Sequence, residues 1–135
     1  MKTRLFVIIG AASIAVCTTP VAPCACEPQR THVVIYGTVR TAAGASMAGS
    51  PVFVVAVPLG GPVVNATELQ PSGTTATNGH YRVESISFYA PATPLTVKGA
   101  AVNVAGDTAR AETVGGSLRP WGQPPDSVQL DLVFP

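Results

Sequence analysis

An all-β fold of two packed sheets is what this sequence predicts, and three observations predict it. Apolar and polar residues alternate with a period of two, most cleanly where Val128, Leu130, Leu132 and Phe134 are interleaved with Gln129, Asp131 and Val133; this marks a strand with one buried side. Gly and Pro, 13 of each, cut the apolar content into short pieces that suit strands better than helices. Thr74 to Val83 reads as strand end, turn and new strand, with Asn78-Gly79 forming a two-residue type I′ turn because both residue types tolerate positive φ. About seven strands with turn signals between them predict a seven-stranded antiparallel Greek-key β-sandwich. No fixed-period repeat is present, which removes solenoids and propellers.

The N-terminus has the three parts of an export signal. Lys2 and Arg4 form a positive start, Leu5 to Val16 is an apolar run, and small residues, Cys and Pro follow. A run of about a dozen residues is too short for a permanent membrane span, which needs roughly 20. Residues 1–25 are therefore expected to be a signal peptide or lipoprotein leader, 26–30 a linker, and 31–135 one domain. Ile14-Ala15-Val16-Cys17 is similar to a lipobox, which makes Cys17 a candidate for lipidation, although Val16 is larger than the residue that motif prefers. Cleavage between Ala15 and Ala25 is the rival. With one of three Cys removed or lipidated, Cys24 and Cys26 are left to pair with each other or with another molecule.

The first strand spans Thr31 to Thr41, with Val33, Ile35, Gly37 and Val39 toward the core and His32 outward. A mid-strand Gly is costly, so Gly37 is expected to mark a bulge or the close approach of another backbone. Ala42 to Ser50 is a loop. Pro51 opens a strand, Val52 to Val57, apolar at nearly every position as if both faces were partly covered. The next segment is a long loop with a short edge strand expected at Val63 and Val64; Asn65-Ala66-Thr67 within it fits the glycosylation pattern. After the turn at Asn78-Gly79, Tyr81 and Val83 are odd-numbered whereas Ile86 and Phe88 are even, which predicts a bulge or strand end near Ser85. Leu95 to Val104 and Thr108 to Val114 follow, the latter with Arg110 and Glu112 exposed. Gly115 to Pro125 is a loop holding Trp121, and Ser127 to Phe134 closes the sheet.

Composition excludes several functions. The formal charge of +1 becomes −1 once Lys2 and Arg4 are set aside, so nothing attracts nucleic acid or anionic lipid, and membrane contact is expected only through a lipid anchor. His32 and His80, with Cys24 and Cys26, have no spacing that favours zinc, so no metal or cofactor is expected. Gly44-Ala45-Ser46-Met47-Ala48 lacks the last Gly of a nucleophile elbow and sits between strands. Tyr36, Tyr89 and Trp121 are candidate aromatic contacts for sugar or peptide; the competing expectation is that Trp121 caps one end of the core.

Three segments carry a family resemblance. Gly37-Thr38-Val39 with Gly44, Gly49 and Pro51-Val52-Phe53-Val54 comes first, Thr74 to Val83 second, and Leu95-Thr96-Val97 with Val128 to Phe134 third. Together they resemble the carboxypeptidase regulatory-like domain of the transthyretin-like β-sandwiches, over nearly all of residues 31–135. The resemblance implies a module without catalytic residues that binds or scaffolds at the cell envelope or outside the cell, with a protein or carbohydrate partner. Two alternatives stay open: a carbohydrate-binding module, and a small transthyretin-like hydrolase. The hydrolase family ends in Tyr-Arg-Gly-Ser, whereas this chain ends Asp131-Leu132-Val133-Phe134-Pro135; His32, His80 and Arg82 would have to share one cleft to support it.

Overall fold

A computed structural model of the chain describes residues 29–61 and 72–135. The expected leader with Cys17, Cys24 and Cys26, the edge strand at Val63 and Val64, and Asn65 lie outside those residues. The described residues contain strands and no helix: β1 (Thr31–Arg40), β2 (Pro51–Pro58), β3 (Gly73–Thr74), β4 (His80–Ser87), β5 (Leu95–Val102), β6 (Thr108–Gly115), β7 (Arg119–Pro120), β8 (Asp126–Gln129) and β9 (Leu132–Val133). Nine strands stand where the pattern predicts seven, three of them only two residues long.

Two sheets form. One has β1 at its centre, with β4 on one side and β7, β8 and β9 on the other; the second runs β3-β2-β5-β6. Odd-numbered residues of β1 and β4 turn toward the second sheet, meeting the even-numbered residues of β2 and the odd-numbered ones of β5. Val33, Ile35, Val39, Tyr81, Val83, Val52, Val54, Leu95, Val97, Leu130, Leu132 and Phe134 close into one buried cluster. Each large side chain in it, such as the fully buried Ile35, Leu95 and Leu132, contributes about 1.5–3 kcal/mol of transfer free energy. Between the sheets Leu130 lies over Gly99, where an added Cβ would come within 2.6 Å of its methyl carbon.

Two expectations are corrected and a third is narrowed. The sheets are not wholly antiparallel, because β8 and β9 both run parallel to β1. Val33 lies opposite Asp126 and Val39 opposite Leu132, one constant offset, so β8 and β9 are a single strand path interrupted at Leu130-Asp131. The interruption has a visible cause: the Thr38 N–H, which a backbone carbonyl would ordinarily receive, donates instead to the Asp131 carboxylate at 2.8 Å.

The turn at Asn78-Gly79 is present but is not type I′. Asn78 has negative φ and only Gly79 is left-handed, at +76°. The Gly79 N–H donates to Ala76 and the Ala76 N–H to His80, both at 2.9 Å. This is a three-residue loop built on a type I turn and closed by a left-handed Gly. The flanking strands part company, β3 pairing with β2 and β4 with β1, so the turn links the two sheets.

Finally, β4 has no bulge at Ser85; of the two outcomes expected there, the strand end is the one observed, at Ser87. Its register with β1 runs unbroken from Thr31↔Ser87 to Thr38↔His80. Ile86 and Phe88, the even-numbered apolar residues that suggested a change of face, are simply exposed, at 52% and 65%. Continuous pairing with the buried β1 outweighs the cost of leaving Ile86 in water, and Phe88 lies past the end of β4.

Candidate functional site

The outer face of the first sheet carries most of the residues singled out from the sequence. Register places Tyr36 opposite Arg82 and Thr38 opposite His80, while His32 lies opposite Ile86 at the far end of β1. Tyr36, His80 and Arg82 line an open groove of about 880 Å³ together with Val34, Pro125, Ser127 and the Thr74-Thr75-Ala76 segment. Among the described residues no carboxylate pairs with the Arg82 guanidinium, since the ion pairs are His32–Glu84 and Lys98–Glu112.

His32 lies outside that groove. It was expected to be an exposed strand residue, and it is on the outward face, but the loop after β7 folds over it and leaves it 5% exposed. Nδ1 lies 2.7 Å from Glu84 and Nε2 lies 2.8 Å from the Gln123 carbonyl. Trp121 packs on the ring, with centroids 5.0 Å apart and planes tilted by 50°. Trp121 therefore clamps a histidine on the outer face and does not cap the core, and it stays half exposed. No single cleft holds His32, His80 and Arg82.

The aromatic candidates do not form one platform either. Tyr36 is four residues along β1 from His32, about 13 Å at strand rise, and Trp121 sits beside His32. Tyr89 lies past the end of β4, where its carbonyl accepts the Thr31 hydroxyl at 2.8 Å. It borders a second groove, of about 390 Å³, with Val55, Val57, Ile86 and Phe88.

Two further polar groups were not singled out from the sequence. Asp131 receives the Thr38 N–H and hydroxyl at 2.8 and 3.0 Å and the Gln129 amide at 3.1 Å. Burial alone would raise its carboxyl, but the Thr38 and Gln129 bonds and the Arg40 charge outweigh this and hold it below the ordinary value. Tyr81 donates its hydroxyl to the Leu130 carbonyl; burial, and secondarily the Asp131 charge, push the phenol well above its usual range, so it remains a donor. No buried side-chain N or O among the described residues lacks a hydrogen-bond partner, and no three potential metal ligands gather there.

A lowered carboxyl in the folded state makes the unfolded chain the better proton binder at acid pH. The stabilisation from Asp131 is thus complete above the unfolded value of about 3.9 and is lost as pH falls through the lower folded value. Thermal melts of the parent are expected to drop as pH falls below about 4. Asp131→Asn should melt several degrees lower at neutral pH and show a shallower acid slope. Parallel pH curves for the two proteins would remove this role.

No family model matches the chain, and no curated protein matches it. Among solved structures the chain is similar to chlorocatechol 1,2-dioxygenase from Pseudomonas putida, with a TM-score of 0.50 and 15% identity over 78% of this chain. The aligned part covers 60% of the dioxygenase chain, so this protein spans less than two thirds of it. At that identity the likeness concerns the fold alone: the strand layers of this chain recur, in outline, in a larger protein.

Proposed function

We propose that this chain is an exported binding or scaffolding module of the carboxypeptidase regulatory-like type, acting at the cell envelope or outside the cell. The observation that carries the reading is the contrast between two sets of polar groups on one sheet. His32, Glu84 and Asp131, the groups that chemistry would enlist, are committed to bonds that hold loops and strands in place. Arg82, with Tyr36 beside it, faces an open groove with no carboxylate partner among the described residues. A solvent-facing guanidinium next to an aromatic ring suits recognition, since both contribute contact energy without reacting.

The test is fractionation of producing cells, with the mature N-terminus read by mass spectrometry. The chain should be recovered outside the cytosol, lacking its leader or carrying lipid on Cys17. It should also sediment with isolated envelope material, and the double variant Tyr36→Ala, Arg82→Ala should lose roughly tenfold or more of that retention. An intact leader in the cytosolic fraction, or equal sedimentation of parent and variant, would overturn the reading.

A further inference from the structure

Among the described residues, the outer edge of β4 is left without a partner strand. Along β1 the even-numbered residues direct their main chain away from β4: the Tyr36 carbonyl accepts from Leu130 at 2.9 Å, and the Thr38 N–H goes to Asp131. The odd-numbered residues of β1 therefore bond to β4, and by the antiparallel register their partners are odd as well, Ile35 to Val83 and Gly37 to Tyr81. It follows that the N–H and C=O groups of Arg82, Glu84 and Ile86 point to the far side. Among the described residues no strand pairs there. At His80 the edge is closed, because its carbonyl accepts from Ala76 and its N–H donates to Asn78 at 3.1 Å.

Natural sheets usually blunt such an edge with charged side chains, above all Lys, or with Pro, a bulge or a covering loop, and of these the open run carries only the charges of Arg82 and Glu84. Between Arg82 and Ile86 β4 has neither Pro nor Lys, and its register is unbroken. The two grooves described above also adjoin this one strand, the larger at His80-Tyr81-Arg82 and the smaller from Ser85 to Tyr89. A single extended chain laid along the edge would thus meet a guanidinium at one end and exposed Ile86 and Phe88 at the other.

We propose, building on the binding-module reading, that β4 takes a strand from a partner polypeptide: an extended peptide with an acidic side chain beside Arg82 and an apolar one beside Ile86 and Phe88. Main-chain bonds to Arg82, Glu84 and Ile86 supply the affinity, and the two side-chain grooves supply the selectivity. A second copy of this chain fits less well. Symmetric antiparallel pairing over the open run sets Glu84 against its own counterpart and Arg82 against Ile86, which opposes like charges and leaves the guanidinium without a carboxylate.

Selection of random peptides of about a dozen residues on the purified chain tests this. Binders should share Asp or Glu at one fixed position and an apolar residue four positions away, on the same face of the added strand. Their binding should slow amide exchange at Arg82, Glu84 and Ile86 roughly tenfold or more. Arg82→Gln, or replacement of the peptide acid by its amide, should weaken binding roughly tenfold or more; Ile86→Lys gives a second, independent loss.

The proposal fails if no peptide is selected, or if bound peptides leave those amides exchanging at the free rate. It also fails if the same amides are protected without peptide in a dimer seen by sedimentation, which would assign the edge to a second copy. Should peptides fail while envelope retention still depends on Tyr36 and Arg82, the strand inference falls and the module reading stands. Peptide binding without such retention gives the reverse.

Discussion

Gly37→Ala is expected to cost about 3 kcal/mol or more, a large part of the 5–15 kcal/mol by which small domains are stable. The sign is the informative part. In an ordinary strand, replacing Gly by Ala relieves unfolded-chain entropy and gains about 0.5–1 kcal/mol. Here the added Cβ would lie 2.1 Å from the Leu130 carbonyl oxygen and 2.7 Å from its carbon, so backbone must move against backbone. That carbonyl also receives the hydroxyl of Tyr81, whose residue is the cross-strand partner of Gly37. Displacing it disturbs the β1–β4 pairing and the β8–β9 path together. Urea or thermal melts followed by circular dichroism measure the loss; a midpoint equal to or above the parent would show that Leu130 does not approach this closely.

Gly79→Val is expected to have a comparable effect, about 3 kcal/mol or more, by a different route. Gly79 has φ of +76°, which a β-branched side chain adopts only with strain. Its Cβ would also stand 2.8 Å from the Val39 carbonyl oxygen and 3.2 Å from the Met47 nitrogen. Asn78 has no such requirement. Asn78→Pro still damages the turn, because Pro at the third position of a type I turn drives Thr77 out of its helical conformation; Asn78→Ala loses only the side-chain bond to the His80 N–H and should stay within about 1 kcal/mol of the parent. The ranking of Gly79→Val far below Asn78→Ala in melting temperature is the check. An Asn78→Ala loss as large as that of Gly79→Val would mean that the turn has the two-residue geometry after all, in which both positions need positive φ.

The strands were legible because burial follows parity. In β5, in β1 from Ile35 onward and in the Val128 to Phe134 segment, the residues that alternate in sequence alternate in exposure. Gly37 was legible too, since a Gly with no turn to make is evidence of a close neighbour, and that neighbour is Leu130. What sequence could not supply is which strands meet. Parity assigns a face but not a partner, so neither the parallel course of β8 and β9 nor the pairing of His32 with Glu84 could be read. His32 shows the limit well: the prediction of an outward face was correct, yet the residue is buried, because the Gly- and Pro-rich segment that covers it has no periodicity to say where it lies. Ile86 and Phe88 mislead for a related reason: apolar character suggests burial, but the edge strand and the segment just after it leave them in water.

Because β1 sits between β4 and the β8–β9 path, its neighbours come from far along the chain: Thr38 and Asp131 are 93 positions apart. A ribosome that has released β1 to β6 has produced a strand with only one flank, and hydrophobic side chains such as Ile35 and Val39 cannot be sealed until Asp126–Val133 emerges. Such non-local closure slows folding, so the nascent polypeptide stays threadable for longer than one assembled from adjacent hairpins.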